Sequence, residues 1–177
     1  MDVVLSAICK YIPLDNVLDF GCGYGVFIPY LTEQAKNIFA YDLIIEEVKK
    51  MGQEYGWKNV HYVSSLAEIN SKPQSLDLIL AIEVLEHIDN LDETVDFFVK
   101  NLLPSGHLLV AGPTENLLYK IGRKLAGYSG EYHKSNIYRI HDALKKQFNV
   151  QKVATILPLL PFYQVYDCTL LKKLERS

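Results

Sequence analysis

Between residues 16 and 111 the chain switches repeatedly between short apolar runs and segments with helical spacing. The runs are NVLDF (16–20), NIFAYD (37–42), NVHYVSS (59–65), LDLILAI (76–82) and HLLVAG (107–112). LDLILAI is apolar at both parities, as a central parallel strand must be when helices cover both faces of its sheet. Between the runs lie helical segments. VFIPYLTEQAK carries Phe27, Leu31 and Ala35 at four-residue spacing. Pro29 fits it only in the first turn, where a missing N–H costs little. LIIEEVKKMGQEYG ends on Gly56, and residues 89–106 place Val95, Phe98, Val99 and Leu102 on one face, with Asn90 and Glu93 spaced as a cap. Strands alternating with helices give an α/β fold with a doubly wound, mostly parallel sheet and right-handed crossovers. Such sheets bind ligands at the carboxyl ends of their strands.

The pattern changes after residue 112. Residues 113–139 are polar, aromatic and glycine-dotted, and read as a loop-rich insertion. IYRIHDALKKQF follows as a helix, and VQKVATIL and YQVYDCTLLKKL as an antiparallel C-terminal pair closing the sheet edge. A chain of 177 residues, 49% of them apolar and 22% charged, suits one domain over 1–177. A net charge of −3 argues against a general nucleic-acid binder. Cys9, Cys22 and Cys168 are odd in number and far apart, which suggests neither a disulfide framework nor a zinc site and no metal site is expected. The basic n-region of a secretory signal is missing and no apolar run is long enough for a bilayer, so a cytoplasmic setting is expected.

The chemistry concentrates in VLDFGCGYG (17–25). Gly21, Gly23 and Gly25 follow the first strand and precede its helix, where backbone must approach a ligand closely. The dinucleotide fingerprint is G-x-G-x-x-G, but position 26 is Val and the third glycine comes one residue early. Asp19 stands two residues before the first glycine. A carboxylate there repels a pyrophosphate and attracts an ammonium group.

VLDFGCGYG resembles motif I of the class I S-adenosylmethionine-dependent methyltransferases. YDLIIEEV resembles their second motif, and SLDLILAIEVLEHI their fourth-strand motif in the subgroup with an E-x-L-E-H run. LLPSGHLLV resembles their L-x-P-G-G-x-L element, with Ser105 replacing the first glycine. The resemblance covers roughly residues 10–112 and implies a Rossmann-like sheet with an antiparallel terminal strand. It implies S-adenosylmethionine as cofactor. Asp19 would hold its methionine end, Gly21 and Gly23 would lie against it, Asp42 would accept the ribose hydroxyls and Leu43 would pack on adenine. Ser65 stands where the family often has an aspartate for the adenine amino group, and Glu83 would line the pocket.

Methyl transfer needs alignment of the acceptor with the S–CH3 bond, and an oxygen or nitrogen acceptor must also lose a proton. Of five histidines, His61 and His107 lie in strands and read as structural. His87, after the fourth strand, and His133, in the insertion, are the candidate bases, with Tyr128, Tyr132, Glu115 and Asn116 as acceptor-shaping residues. The expected activity is methyl transfer to a small-molecule, lipid-linked or sugar-like acceptor. A nucleic-acid acceptor is disfavoured by charge and by the lack of an N-P-P-[YF] run after strand four. Two alternatives stand beside it: a non-catalytic cofactor-binding or interaction protein of the same fold, and a NAD-dependent oxidoreductase, against which the glycine spacing and Asp19 argue.

Overall fold

Seven strands form one sheet in the order β3-β2-β1-β4-β5-β7-β6 in the computed structural model, which describes residues 2–69, 74–114, 137–156 and 163–171. The strands are β1 (Leu14–Phe20), β2 (Ala35–Tyr41), β3 (Val60–Val63), β4 (Leu76–Ile82), β5 (Leu102–Pro113), β6 (Phe148–Ile156) and β7 (Tyr163–Leu170). The helices are α1 (Asp2–Ile8), α2 (Ile28–Gln34), α3 (Glu46–Tyr55), α4 (Leu66–Ile69), α5 (Leu91–Asn101) and α6 (Ile137–Leu144), with a 3-10 turn over Leu85–His87. β1 to β5 pair in parallel, while β7 runs antiparallel to both β5 and β6. This is the doubly wound, mostly parallel sheet with an antiparallel C-terminal pair that the alternation predicts.

Side-chain parity sorts the core into two layers. Leu78 and Leu80 of β4 join one, with Val17, Ile28, Leu31 and Val48. Ile79 and Ala81 join the other, with Leu18, Phe20, Val95 and Phe98, and so does Leu76, which stands across a register shift from Leu78. Burial on both faces is why β4 reads as apolar at both parities beyond Asp77. Strand order reverses between β1 and β4, which pair directly through Val17, Leu18 and Asp19. The loops leaving these two strands therefore diverge and open a crevice at the carboxyl edge.

Local chemistry explains most boundaries. Pro29 lies in the first turn of α2. Gly56 ends α3 in the left-handed region at φ 68°, its N–H donating to the Gly52 carbonyl. Asn90 is the N-cap of α5, but its side chain makes no capping hydrogen bond; its carbonyl accepts the Thr94 amide and hydroxyl instead. Two helices were not legible as such. α1 buries Val4, Ala7 and Ile8 against the sheet. α4 is one turn opened by a capping box: Ser65 Oγ accepts the Ala67 amide, and Glu68 Oε1 accepts the Ser65 amide. Of the expected insertion over 113–139, residues 115–136 lie outside the described residues, and 137–139 begin α6. Among the described residues no helix is long and apolar enough to cross a membrane.

The LLPSGHLLV segment enters β5 through a tight approach. A β-carbon on Gly106 would stand 2.8 Å from the Leu76 carbonyl oxygen and 2.9 Å from the Leu102 side chain. Gly106→Ala should destabilise the protein by about 1–3 kcal/mol through this overlap, whereas Ser105→Gly, at an exposed site, should lie within about 0.5 kcal/mol of the parent. Urea denaturation of both variants checks the contrast.

Candidate functional site

The three glycines after β1 do different work. Gly21, Gly23 and Gly25 all have positive φ, at 77°, 51° and 74°. A β-carbon on Gly21 would overlap the Val84 side chain, which arrives from the loop after β4. One on Gly25 would come within 2.7 Å of Val48 in α3. These two glycines admit neighbouring elements. Gly23 has nothing within 4 Å of where its β-carbon would point. The middle glycine thus presents bare backbone to open space, the cradle a flat or flexible ligand requires.

Two carboxylates flank that cradle. Asp42, one residue beyond β2, accepts the Gly23 amide at Oδ2 (2.9 Å) and the Ile44 amide at Oδ1 (3.1 Å). It therefore ties the glycine loop to the end of β2, a task beyond the ribose contact the resemblance implies. Each oxygen keeps a further lone pair for a ligand hydroxyl. Asp19 is only 2% exposed, and its Oδ2 has no hydrogen-bond partner among the described residues. Burial, reinforced by the Asp42 charge, pushes its carboxyl up to about 7. A buried carboxyl left unsatisfied is costly unless a ligand completes it. An ammonium group would do so, and the donor set therefore fits the methionine end of the expected cofactor.

The remaining predicted residues that the structure describes fall on the same edge. Leu43 is 92% exposed and Ile44 70% exposed, an uncovered apolar pair beside Asp42 and available to an aromatic face. Ser65 lies just beyond β3, where its hydroxyl is engaged in capping α4. Glu83 follows β4 at φ 54°, in the left-handed region rarely used by residues other than glycine, with its amide donating to the Ala111 carbonyl (2.8 Å). Strain of this kind persists where surrounding structure enforces it. His87 is exposed in the 3-10 turn on this edge. His133, Glu115, Asn116, Tyr128 and Tyr132 lie outside the described residues. Among the described residues no group of three or more His, Cys, Asp or Glu side chains is arranged to hold a metal ion.

Tyr163 of this edge escaped the sequence reading, and Glu86 entered it only through the E-x-L-E-H run. Tyr163 of β7 sits opposite Pro113 at the carboxyl end of β5. Burial, the Glu83 and Glu86 charges and a hydrogen bond donated to Glu83 push its hydroxyl far up, so it stays protonated. Glu86 is buried against Gly112, both of its oxygens 3.8 Å from where a β-carbon there would lie. The E-x-L-E-H run signals Glu86; nothing in the local sequence of β7 signals Tyr163. His61 and His107 lie away from the cradle. His107 bonds Asp167 (2.9 Å) and stacks on Tyr11, and His61 bonds Asn37 (3.3 Å).

The state of Asp19 has a measurable consequence. Its carboxyl is raised from 3.8 to about 7 in the fold. The stability this protonated group contributes is therefore complete below 3.8 and is lost as pH rises through about 7. Within that window the ligand-free protein should lose about 1.4 kcal/mol per pH unit from this residue. Asp19→Asn should flatten that part of the profile, as denaturation at a series of pH values will show.

The sequence of the chain matches the family model described as "Methyltransferase domain" over residues 6–151. It is 30% identical over 99 residues to the ubiquinone biosynthesis O-methyltransferase of Rickettsia conorii, a match covering 54% of this chain and 34% of that protein. The chain thus spans about a third of that relative's length. Its fold superposes on the N-methyltransferase NodS of Bradyrhizobium japonicum, solved with S-adenosyl-L-homocysteine, with a TM-score of 0.70 at 17% identity, covering 96% of this chain and 84% of that one. Magnesium protoporphyrin IX methyltransferase of Synechocystis, also with bound S-adenosylhomocysteine, gives a TM-score of 0.71 at 14% identity, covering 96% and 80%. Spanning most of the domain, and joined to a glycine loop with an acid on either side, the family match makes this chain a member of the methyltransferase domain family.

Proposed function

We propose that the chain binds S-adenosylmethionine in the glycine cradle and methylates a small-molecule acceptor at an oxygen or nitrogen. The observation that carries this reading is the unpartnered, buried Asp19 oxygen beside the open face of Gly23. Asp19 holds the ammonium group, the Gly21–Gly23 backbone lies along the methionine arm, Asp42 takes the ribose hydroxyls and Leu43 covers the adenine. Ser65 borders the adenine end without the aspartate common in relatives. When bound, the cofactor supplies a methyl group already activated by the positive sulfur.

The chain's remaining task is to aim the acceptor and receive its proton. Aligning two reactants can lower a barrier by about 7–11 kcal/mol in favourable cases. Glu83, Glu86 and the protonated Tyr163 line the acceptor side and offer hydrogen bonds to a hydroxyl or amine. His87, exposed on the same edge, takes the proton on a ring nitrogen. His133 is a second candidate from the segment expected to roof the site. The relatives' printed names, an O-methyltransferase and an N-methyltransferase among them, support a small acceptor with an exchangeable proton. Lipid-linked and sugar-like acceptors belong to the same class.

Calorimetry with S-adenosylhomocysteine tests the cofactor assignment. The parent should bind. Asp42→Ala should weaken binding tenfold or more, about the 1.5–3 kcal/mol typical of hydrogen bonds to a charged group. Gly23→Val should abolish it, because a branched side chain would fill the cradle and strain a left-handed position. Unchanged affinity in both variants would refute the site. A separate measurement follows labelled methyl groups into a cell extract. His87→Ala should slow transfer about 100-fold or more while leaving S-adenosylhomocysteine affinity intact; equal transfer rates would remove His87 from the chemistry.

A further inference from the structure

The opposite edge of the sheet holds a feature that methyl transfer does not use. At the amino ends of β1, β2 and β3 lies a cavity of about 370 Å³, lined among the described residues by Asn16, Asn37, Phe39, His61, Glu68 and Ser75, with Ile69 and Leu76. Among the described residues of the β3–β4 crossover, the one-turn α4 borders it through Glu68 and Ile69. Further along the same face, Leu18, Phe20 and Val63 are packed in the core.

The exposed end of that face is polar. Asn16 continues the row of Leu18 and Phe20, Asn37 the row of Phe39 and Tyr41, and His61 the row of Val63. Their side chains form an ordered chain of hydrogen bonds. Asn16 Nδ2 donates to the Ser75 carbonyl (3.0 Å), and Asn37 Nδ2 donates to Asn16 Oδ1 (3.0 Å). Asn37 Oδ1 faces His61 Nε2 at 3.3 Å. An amide oxygen can only accept, so Nε2 carries a proton, and in the neutral ring Nδ1 is left as an acceptor. Each amide keeps a second N–H beyond these bonds. The His61 ring stacks on Phe39, with centroids 5.2 Å apart and planes inclined by 25°. A stacked aromatic pair thus meets a fixed set of donors and acceptors in a cavity within the size range of small-molecule sites.

We propose that this cavity is a second ligand site, for a neutral planar nitrogen heterocycle of nucleobase or nucleoside size. The ring lies against His61 and Phe39, and its polar edge meets Asn16, Asn37 and His61 Nδ1. Glu68 stands in the wall and brings a carboxylate to it. A phosphorylated ligand is therefore disfavoured relative to the neutral nucleoside.

Uridine is the probe, since its ring presents an N–H between two carbonyl groups. It is titrated into the full chain in the presence of S-adenosylhomocysteine, and the side-chain amides of Asn16 and Asn37 are followed by 1H–15N spectroscopy. A saturable shift of both amides at millimolar uridine or below is expected. His61→Ala, at an exposed position, should weaken it at least tenfold, as should Asn37→Leu, with S-adenosylhomocysteine affinity unchanged. Uridine 5′-monophosphate should bind at least tenfold more weakly than uridine. Shifts that never saturate, or that survive His61→Ala, would overturn the proposal, and tighter binding of the monophosphate would overturn its ligand class. S-adenosylhomocysteine is read separately at the Gly23 amide, so failure of the cofactor site leaves this result interpretable.

Discussion

The contact between Gly21 and Val84 is the constraint on which the site depends. The Gly21 and Cys22 amides both donate to the Tyr41 carbonyl at the end of β2. On the other side, the Gly21 α-carbon lies against the Val84 side chain from the loop after β4. The loop after β1 is thereby clamped between its two neighbours at the point where the strand order reverses. Any side chain at Gly21 would separate β1 from the β4 loop and remove the crevice floor. Gly25, packed on Val48, fixes the far end of the same loop to α3. Gly23, between these two anchors, is then free of protein neighbours on its open side.

Electrostatics follows from that geometry. The clamp buries Asp19 beneath the loop and brings Asp42 to the Gly23 amide. Two carboxyl groups then share a confined space, one bonded to backbone and the other lacking a partner. The buried one responds by holding its proton to about pH 7. A ligand bearing a cationic group would exchange that proton for an ion pair. The same fold thus stores an unsatisfied group where a ligand can satisfy it, at some cost to the ligand-free state.

The two edges of the sheet contrast in how polar groups are managed. At the carboxyl edge, Asp19 keeps a buried oxygen without a partner among the described residues and Glu83 holds a left-handed backbone. At the amino edge, Asn16, Asn37 and His61 satisfy one another in a chain, and Asp77 accepts the Asp15 and Asn16 amides. His107 and Asp167 pair near Tyr11, where α1 joins the sheet.

The sequence by itself determined the α/β class, the mostly parallel sheet, the antiparallel C-terminal pair and the place of the glycine loop. It could do so because apolar period, glycine and proline act locally: Pro29 in a first turn and Gly56 after α3 are decided by their own backbones. The tertiary structure alone separated the three glycines into two that admit neighbours and one that faces open space. Spacing cannot distinguish them, because the difference lies in Val84 and Val48, which are distant in sequence. It also brought Tyr163 from β7 to Glu83, and joined Asn16, Asn37 and His61 across three strands. Contacts of this kind depend on strand order and register, which no local run of residues encodes.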